Sequence, residues 1–327
     1  MHAVNEALAR IHLGKPQTHR NLFLFPLLTQ EGRGPSYLTL DEALRAGCAR
    51  VTETSAHGSV PELRFVNDCE RPVLLLDGEE LLGAKQNRIL NVSVLAPAKT
   101  TLTIPVSCVE AGRWHATSSE FRPSGRAHFA SGRAAKLQAV SASLRESRSY
   151  RGDQGKVWAD IEVMAQAMDA PSPTHAAEAL YETHRDRLDG YQRAFAPLPG
   201  QAGALFAVGE IVVGLDLFDA PPTLAKSMPK LVESYALDAI ARNSEPPHDP
   251  PREAAIRFLD ALGSARTERY PPVGLGETLR MTSPALSGAA LAVDERVIHL
   301  CAFAHGEETY EEYARGRIAS PWTRGRR

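Results

Sequence analysis

The sequence predicts an α+β fold in which mainly antiparallel sheets flank a helical insert. Strand-like segments follow one another at even spacing from residue 49 to 108, which indicates an antiparallel sheet or a barrel-like unit rather than βαβ units. Dense alanines and helical periodicity replace these signals from about 126 to 196, and mixed structure follows. We expect one integrated domain with a sheet-rich N-terminal part, a helical insert, a C-terminal α+β part packed on the first, and a tail, at 1–125, 126–200, 201–306 and 307–327.

Local signals place the first elements of the chain. Residues 21–27 form an apolar run compatible with a buried strand. Thr39 and Glu42 fit a capping box and Gly47 provides a stop, so a short helix is expected between them. The strands that follow are expected at about 49–54, 62–67, 72–77, 79–83, 88–95 and 99–108.

Two glycine-bounded segments are expected to be hairpins. Asp77-Gly78 between apolar arms is a strong hairpin signal because both residues tolerate positive φ. Residues 204–214 give a second hairpin with its turn at Gly209-Glu210. The motifs GEELLG (78–83) and GEIVVG (209–214) echo each other, which fits either a weak internal duplication with packed hairpins or the ordinary use of glycine at turns.

Helices and strands alternate in the rest of the chain. Helical periodicity appears at 133–147, 154–169 and 174–195, and Ser172-Pro173 is a suitable start because proline is tolerated in the first turn. The later helices are expected at 222–243, bent or started at Pro229, and at 252–263. The last strands are expected near 276–283, 287–293 and 296–303.

The composition excludes several classes of protein. The 327 residues carry 37 basic and 39 acidic side chains, so no basic field favours nucleic acid. No apolar run has membrane-spanning length, and the first residues lack a basic segment followed by an apolar core, so we expect neither a membrane span nor secretion. The cysteines, which have no CxxC spacing, predict reduced thiols in a cytoplasmic protein and no zinc site; they are Cys48, Cys69, Cys108 and Cys301.

A polar cluster at residues 85–88 is the first candidate binding site. Lys85, Gln86, Asn87 and Arg88 offer an ammonium, two amides and a guanidinium between β-arms. Arginine suits bidentate binding of phosphate or carboxylate, and amides suit sugar hydroxyls. The alternative is an exposed polar loop.

The second candidate segment runs from residue 108 to 114. Cys108 extends an apolar row on its strand, so it is either a small core residue or a nucleophile that reaches a cleft together with Glu110. Arg113 would supply a cation, and Trp114 would stack on a planar group or anchor the core. Gln154 and Trp158 share a helical face and are expected to pack toward this region.

A carboxylate from the first hairpin completes the set of candidate catalytic groups. Glu79 and Glu80 are adjacent, so on a strand they point to opposite faces and at most one reaches the site. We favour Glu80, although either side chain fits a solvated turn equally well.

These blocks resemble a known family. DGEELLGAKQNRILNVSVL, IPVSCVEAGRW, ALFAVGEIVVGLDLFD and LVESYALDA are similar, in the same order, to the ARG-and-rhodanese-phosphatase-superfamily-associated protein domain family. The resemblance covers roughly residues 10–305. The family's name links it to ADP-ribosylglycohydrolases and rhodanese-like phosphatases, which implies a role around NAD or ADP-ribose metabolism. The positions that match its motif are Glu80, Gln86, Asn87, Arg88, Cys108, Glu110, Arg113 and Trp114.

The leading hypothesis is a cytoplasmic enzyme that acts on a nucleotide-sugar or ADP-ribose-like ligand. Lys85 and Arg88 would hold the anion, and Glu80 or Glu110 would be the acid or base. A non-catalytic ligand sensor or partner-binding protein that uses the same pocket is the alternative, and a structural scaffold is a third. The sequence specifies neither a cofactor nor an oligomeric state.

Overall fold

The computed structural model of the protein describes residues 2–30, 36–55, 58–245 and 249–305. Helices and antiparallel sheets are mixed along the chain, so the α+β prediction is confirmed. The predicted tail at 307–327 lies outside the described residues. None of the described helices has both the length and the apolar character required to cross a membrane.

The elements are numbered in chain order. In the described ranges the helices are α1 (His2–Ala9), α2 (Leu40–Arg45), α3 (Ala130–Ser147), α4 (Gln154–Met168), α5 (Glu178–Thr183), α6 (Arg185–Ala194), α7 (Pro221–Arg242) and α8 (Arg252–Gly263). The strands are β1 (Ile11–Leu13), β2 (Gln17–His19), β3 (Leu22–Thr29), β4 (Leu38–Thr39), β5 (Ala49–Glu53), β6 (Glu62–Asn67), β7 (Val73–Leu75), β8 (Glu79–Gly83), β9 (Arg88–Leu90), β10 (Val94–Ala96), β11 (Thr100–Cys108), β12 (Phe121–Ala127), β13 (Gln201–Val208), β14 (Ile211–Phe218), β15 (Arg266–Tyr270), β16 (Glu277–Thr282), β17 (Leu286–Val293) and β18 (Arg296–Ala304).

The central stretch closes into a barrel of strands in the order β11-β6-β5-β12-β8-β9. Neighbouring strands are antiparallel, as the even spacing of the strand signals predicts. Apolar side chains such as Val51, Phe65, Leu81 and Ile104 fill its core. A small sheet, β10-β7-β4, contributes to the same core, and the predicted strand at 88–95 is therefore two strands, β9 and β10, in different sheets.

The Asp77-Gly78 turn does not form the predicted hairpin. β7 pairs with β10 and β4, whereas β8 pairs with β12 and β9. Gly78 has a φ of +78°, and the backbone N–H of Glu79 donates to the Leu76 carbonyl at 3.1 Å. The chain thus turns tightly but passes from one sheet to another, because the Asp77 carboxylate is buried in an ion pair with Lys136 and both strands find other partners.

The C-terminal half and the N-terminal strands β1 to β3 together build a larger antiparallel sheet. Its strands lie in the order β1-β3-β13-β14-β18-β17-β16-β15, with β2 also on β3. The β13–β14 hairpin turns at Gly209, where φ is +60°, so the second hairpin prediction is confirmed. Helices α3 and α7 bury one face of the sheet, and α1 and α8 bury the other.

The two echoing motifs lie in different sheets. GEELLG forms β8 of the barrel, and GEIVVG forms the turn and start of β14. Only the second belongs to a hairpin with its preceding strand. The structure therefore supports the use of glycine at turns and gives no packed pair of related hairpins.

Local signals predict some elements better than others. The capping box is present, since the Thr39 hydroxyl accepts from the Glu42 backbone N–H and the Glu42 carboxylate accepts from that of Thr39. The helix expected at 174–195 is wrong in its start and continuity: α5 begins at Glu178, and His184 separates it from α6. The Ser172 hydroxyl instead accepts from the backbone N–H of Ala176 at 2.9 Å, which holds a turn before α5.

Cys48 and Cys69 form a disulfide, so the prediction of four reduced thiols is wrong. The bond joins the end of the α2–β5 connection to the segment after β6, and spacing alone did not reveal it because 21 residues separate the two cysteines. Cys108 and Cys301 are free and buried. Disulfides are typical of oxidising compartments, and the cytoplasmic location stays a prediction.

We expect this disulfide to contribute about 3 kcal/mol to the free energy of unfolding, because it closes a loop of this length in the unfolded chain. The double variant Cys48→Ala/Cys69→Ala should lose that amount in urea denaturation. Thiol titration of the denatured wild-type protein should find two reactive thiols before reduction and four after it. Four thiols without reduction would contradict the pairing.

Candidate functional site: the Arg88 end of the barrel

The polar residues of the central stretch meet at one end of the barrel. Arg88 lies opposite Leu81 on β8 and opposite Cys108 on β11. Leu81 and Leu90 belong to the barrel core, so strand alternation directs Arg88 into the barrel. Glu53, two residues after the core residue Val51, enters from β5. We call Glu53, Arg88 and Cys108, with the overlying Lys85 and Trp114, the barrel-end site.

The Arg88 guanidinium is completely buried at this site. Its Nη1 donates to Oε1 of Gln86 at 2.9 Å and to Sγ of Cys108 at 2.7 Å, while Nη2 lies 3.8 Å from Oε1 of Glu53. Within the described part of the chain, Nε and Nη2 of Arg88 and both carboxylate oxygens of Glu53 have no hydrogen-bond partner. Burial lowers the pKa of Arg88, although Cys108 and Glu53 oppose that effect. The site therefore holds a desolvated cation with unused donors.

Trp114 covers this cation from the solvent side. Its side chain is 47% exposed, and its ring centroid lies 5.7 Å from Cζ of Arg88 and 5.5 Å from Nζ of Lys85. Such distances correspond to cation–π contacts, which are weak at exposed sites. An exposed indole above two cations offers a stacking surface beside an anion-binding group.

Cys108 has the surroundings of a core thiol. Burial raises its pKa to about 11, against the opposing effect of Arg88. The Gln154 side chain fixes the backbone of Cys108, with its amide accepting from the N–H and donating to the carbonyl, both at 2.8 Å. A thiol protonated at neutral pH is a poor nucleophile, so the structure favours the packing role over the catalytic role for Cys108. Gln154 reaches the predicted region as expected.

Gln86, Asn87, Glu110 and Arg113 support the site from beside it. The Gln86 amide donates to the Glu110 carbonyl at 2.8 Å, and Arg113 Nη2 lies 2.6 Å from Oε2 of Glu110 and 3.2 Å from Oδ1 of Asn87. Burial opposes ionisation of Glu110, but hydrogen bonds from Arg113 and Thr174 hold its pKa below the usual range. These side chains bind one another, so they position the loop rather than present free groups.

Glu79 and Glu80 do not reach the barrel-end site. Glu79 binds Lys230 Nζ and the Leu76 backbone N–H. Glu80 lies opposite Ile89, whose side chain packs in the core outside the barrel, so it faces away from Arg88. The two carboxylates point to opposite faces, as strand geometry predicts, but neither lies beside the cation.

Glu80 occupies a separate, desolvated position. Burial raises its pKa to about 7; Arg126 and the Ser124 hydroxyl lower it, whereas Glu178 raises it. Neither carboxylate oxygen makes a well-formed hydrogen bond in the part of the chain that the structure describes. A buried carboxylate with a pKa near neutrality is a common feature of catalytic acids and bases.

One known family matches most of the chain. The model of the ARG and Rhodanese-Phosphatase-superfamily-associated Protein domain matches residues 10–303. The chain belongs to this family. Searches of curated proteins and of solved structures gave no match. The matched residues therefore include the barrel, helices α2 to α8 and the larger sheet.

Two residues of the family domain that sequence reasoning missed are Glu53 and Arg126. Glu53 ends a strand whose alternating residues Ala49 and Val51 are buried, and that alternation was the available signal for its inward direction. Arg126 was unforeseen because β12 contains Pro123 and Gly125, which oppose a strand prediction. Among the described residues, no group of three or more potential metal ligands is assembled.

Glu80→Gln is expected to stabilise this family member at pH 8 by about 2 kcal/mol and to change stability little at pH 4. The folded-state pKa is raised to about 7, so between pH 4.5 and 7 the unfolded chain ionises while folded Glu80 stays protonated, and stability falls as pH rises. Urea denaturation across this range measures the effect. Glu182→Gln is the control, and it should lower stability at pH 8 instead of raising it, because Arg126 and Arg185 lower the pKa of Glu182. Equal stability of wild type and Glu80→Gln at pH 8 would contradict the raised pKa.

Proposed function

We propose that the barrel-end site binds a nucleotide-sugar or ADP-ribose-like ligand. The observation that carries the proposal is the fully buried Arg88 guanidinium beneath the exposed indole of Trp114. Among the described residues its Nε and Nη2 have no hydrogen-bond partner, although Nη2 lies 3.8 Å from Glu53. A ligand that joins a phosphate to a planar base matches this pairing of a fork-shaped cation with a stacking surface. The association in the family's name is the reason for choosing ADP-ribose as the first ligand to test.

The phosphate and the base of the proposed ligand would each contact a side chain of the barrel-end site. Arg88 and Lys85 would bind the phosphate, and Trp114 would move from the guanidinium to stack on the base. Gln86 would keep Arg88 in place through its Oε1 contact. Because the Gln86 and Asn87 amides already bind protein groups, their proposed role changes from contacting sugar hydroxyls to holding the loop.

Binding without chemistry is the function that this geometry supports best. Beside Arg88, the thiol of Cys108 is protonated at neutral pH, and Glu110 is paired with Arg113. A hydrolase or transferase is the second candidate, and Glu80 favours it because that carboxylate is buried with a pKa near neutrality. Glu80 would need the ligand to extend past the barrel wall toward Arg126.

A thermal-shift measurement with ADP-ribose, NAD and inorganic phosphate tests the binding proposal. At a concentration one hundred times Kd, ADP-ribose should stabilise the wild type by about 2.7 kcal/mol. Trp114→Ala should keep the fold, because the side chain is half-exposed, and should lose about tenfold in ADP-ribose affinity but little in phosphate affinity. Leu198→Ala, which truncates another exposed apolar side chain, is the control. A wild-type protein stabilised by none of the three ligands would overturn the proposal.

Product analysis separates the two candidates. Wild-type protein incubated with ADP-ribose or NAD should return it unchanged if the protein is a sensor. Turnover by the wild type that Glu80→Gln abolishes would establish the enzyme instead.

A further inference from the structure

A cavity of about 490 Å³ shares no lining residue with the barrel-end site. It is bounded by α3, α4, the C-terminal end of α7, the start of β14 and the end of β18. Its wall is mostly apolar and includes Phe129, Ala135, Val163 and Val212. This volume falls in the range typical of small-molecule sites.

The cations of the cavity lie on two helices. Lys156 on α4 is exposed, and Arg242 is the last residue of α7. Lys156 contacts Asp160 one turn later at 3.1 Å, and exposed pairs of this kind are weak, so the ammonium can exchange that partner for a ligand. The edge of an apolar cavity therefore carries two positive charges.

The second carboxylate of the cavity, that of Asp238, lies in its wall. Asp238 on α7 is fully buried, and its Oδ2 accepts from the backbone N–H of Ser131 at 3.3 Å. This contact caps α3, whose N-cap residue Phe129 provides no side-chain hydrogen bond. Burial raises the pKa of Asp238, although the hydrogen bond from Ser131 and the charge of Arg242 oppose that effect. The charged groups at the cavity edge are thus two cations, Lys156 and Arg242, and one carboxylate, Asp160, while the Asp238 carboxylate binds the start of α3.

We propose that this cavity binds an amphipathic anion, a molecule with an apolar body about the size of two fused rings and one carboxylate or similar acidic group. The body would pack on Phe129, Ala135 and Val163, and the acidic group would bind Lys156 and Arg242. The proposal is independent of the barrel-end site because the two share no residue.

Two fluorescent probes of similar shape test this assignment. 1-Anilinonaphthalene-8-sulfonate carries the anion, and N-phenyl-1-naphthylamine has the same aromatic body without it. The wild type should bind both in a saturable way. Lys156→Glu should lower the affinity for the sulfonate probe about tenfold and the affinity for the neutral probe less than twofold. The exposed Lys15→Glu, on the β1–β2 connection, is the matched control and should change neither.

A variant that fills the cavity tests the location. Ala135→Trp places a large ring inside from a half-buried position on α3 and should abolish saturable binding of both probes, with the far-UV circular dichroism spectrum unchanged. Decanoate should displace the sulfonate probe from the wild type. No saturable binding to the wild type, or equal binding of the sulfonate probe by wild type and Lys156→Glu, would overturn the proposal. If Ala135→Trp does not fold, Lys156→Glu alone decides.

Discussion

Arg133→Met is expected to lower the free energy of unfolding by about 3–5 kcal/mol, because it leaves a buried carboxylate without its partner. Arg133 and Asp216 are both almost completely buried, and the guanidinium donates twice, with Nη2 to Oδ1 at 2.6 Å and Nη1 to Oδ2 at 3.1 Å. Tyr235 and His299 also bind the Asp216 carboxylate. This pair joins α3 to the middle of the larger sheet, so its loss should affect the whole fold.

The pH dependence of the same pair has a defined sign. Burial opposes ionisation of Asp216, but Arg133 and His299 hold its pKa well below the usual range. The stabilisation is therefore present above the ordinary aspartate pKa and is lost as pH falls below it. Arg145→Met is the matched control on α3, since Arg145 is half-exposed and 3.7 Å from Glu268, and it should cost less than about 1 kcal/mol. If urea denaturation shows that Arg133→Met and Arg145→Met lose equal free energy of unfolding, the buried pair does not contribute more to stability than the exposed pair.

Arg88→Lys is expected to weaken ADP-ribose binding about 100-fold, which corresponds to about 2.7 kcal/mol. Lysine keeps the positive charge beside Glu53 but lacks the planar fork that reaches two phosphate oxygens. Titration calorimetry measures the affinity. The variant should remain folded, because the apolar barrel core is unchanged.

The control for this variant is Arg50→Lys, which makes the same exchange on the exposed face of β5. It should leave the affinity within twofold. An Arg88→Lys protein that binds ADP-ribose as tightly as the wild type would mean that the guanidinium does not contact the phosphate.

Elements fixed by local chemistry could be predicted from the sequence. The β13–β14 hairpin follows from Gly209 between apolar arms, and α8 has the expected bounds. β12 could not be predicted, since a segment with internal proline and glycine is a strand only because β8 and β5 pair with it. The Asp77-Gly78 turn could not be assigned to a hairpin from its own residues, because the pairing of the flanking strands decides it: β7 pairs with β10, and β8 pairs with β12.

The sequence predicted which segments lie close together better than it predicted the direction in which each side chain points. The structure brings residues 85–88 to 108–114, through contacts such as Arg88 with Cys108 and Gln86 with Glu110. Closure of the barrel then decides which face each side chain occupies, and it separates Glu80 from Arg88 across one wall. Glu53 joins from a strand about 35 positions earlier, a contact that only the closed barrel creates.

The most direct test of the barrel-end site is the indole N–H resonance of Trp114 in a ¹⁵N-labelled protein, assigned with Trp114→Phe, during titration with ADP-ribose. If the ligand stacks on this ring above Arg88, the Trp114 resonance shifts and saturates while that of Trp158 on α4 stays in place. A Trp114 resonance that does not move at concentrations where ADP-ribose binds would contradict the proposed site.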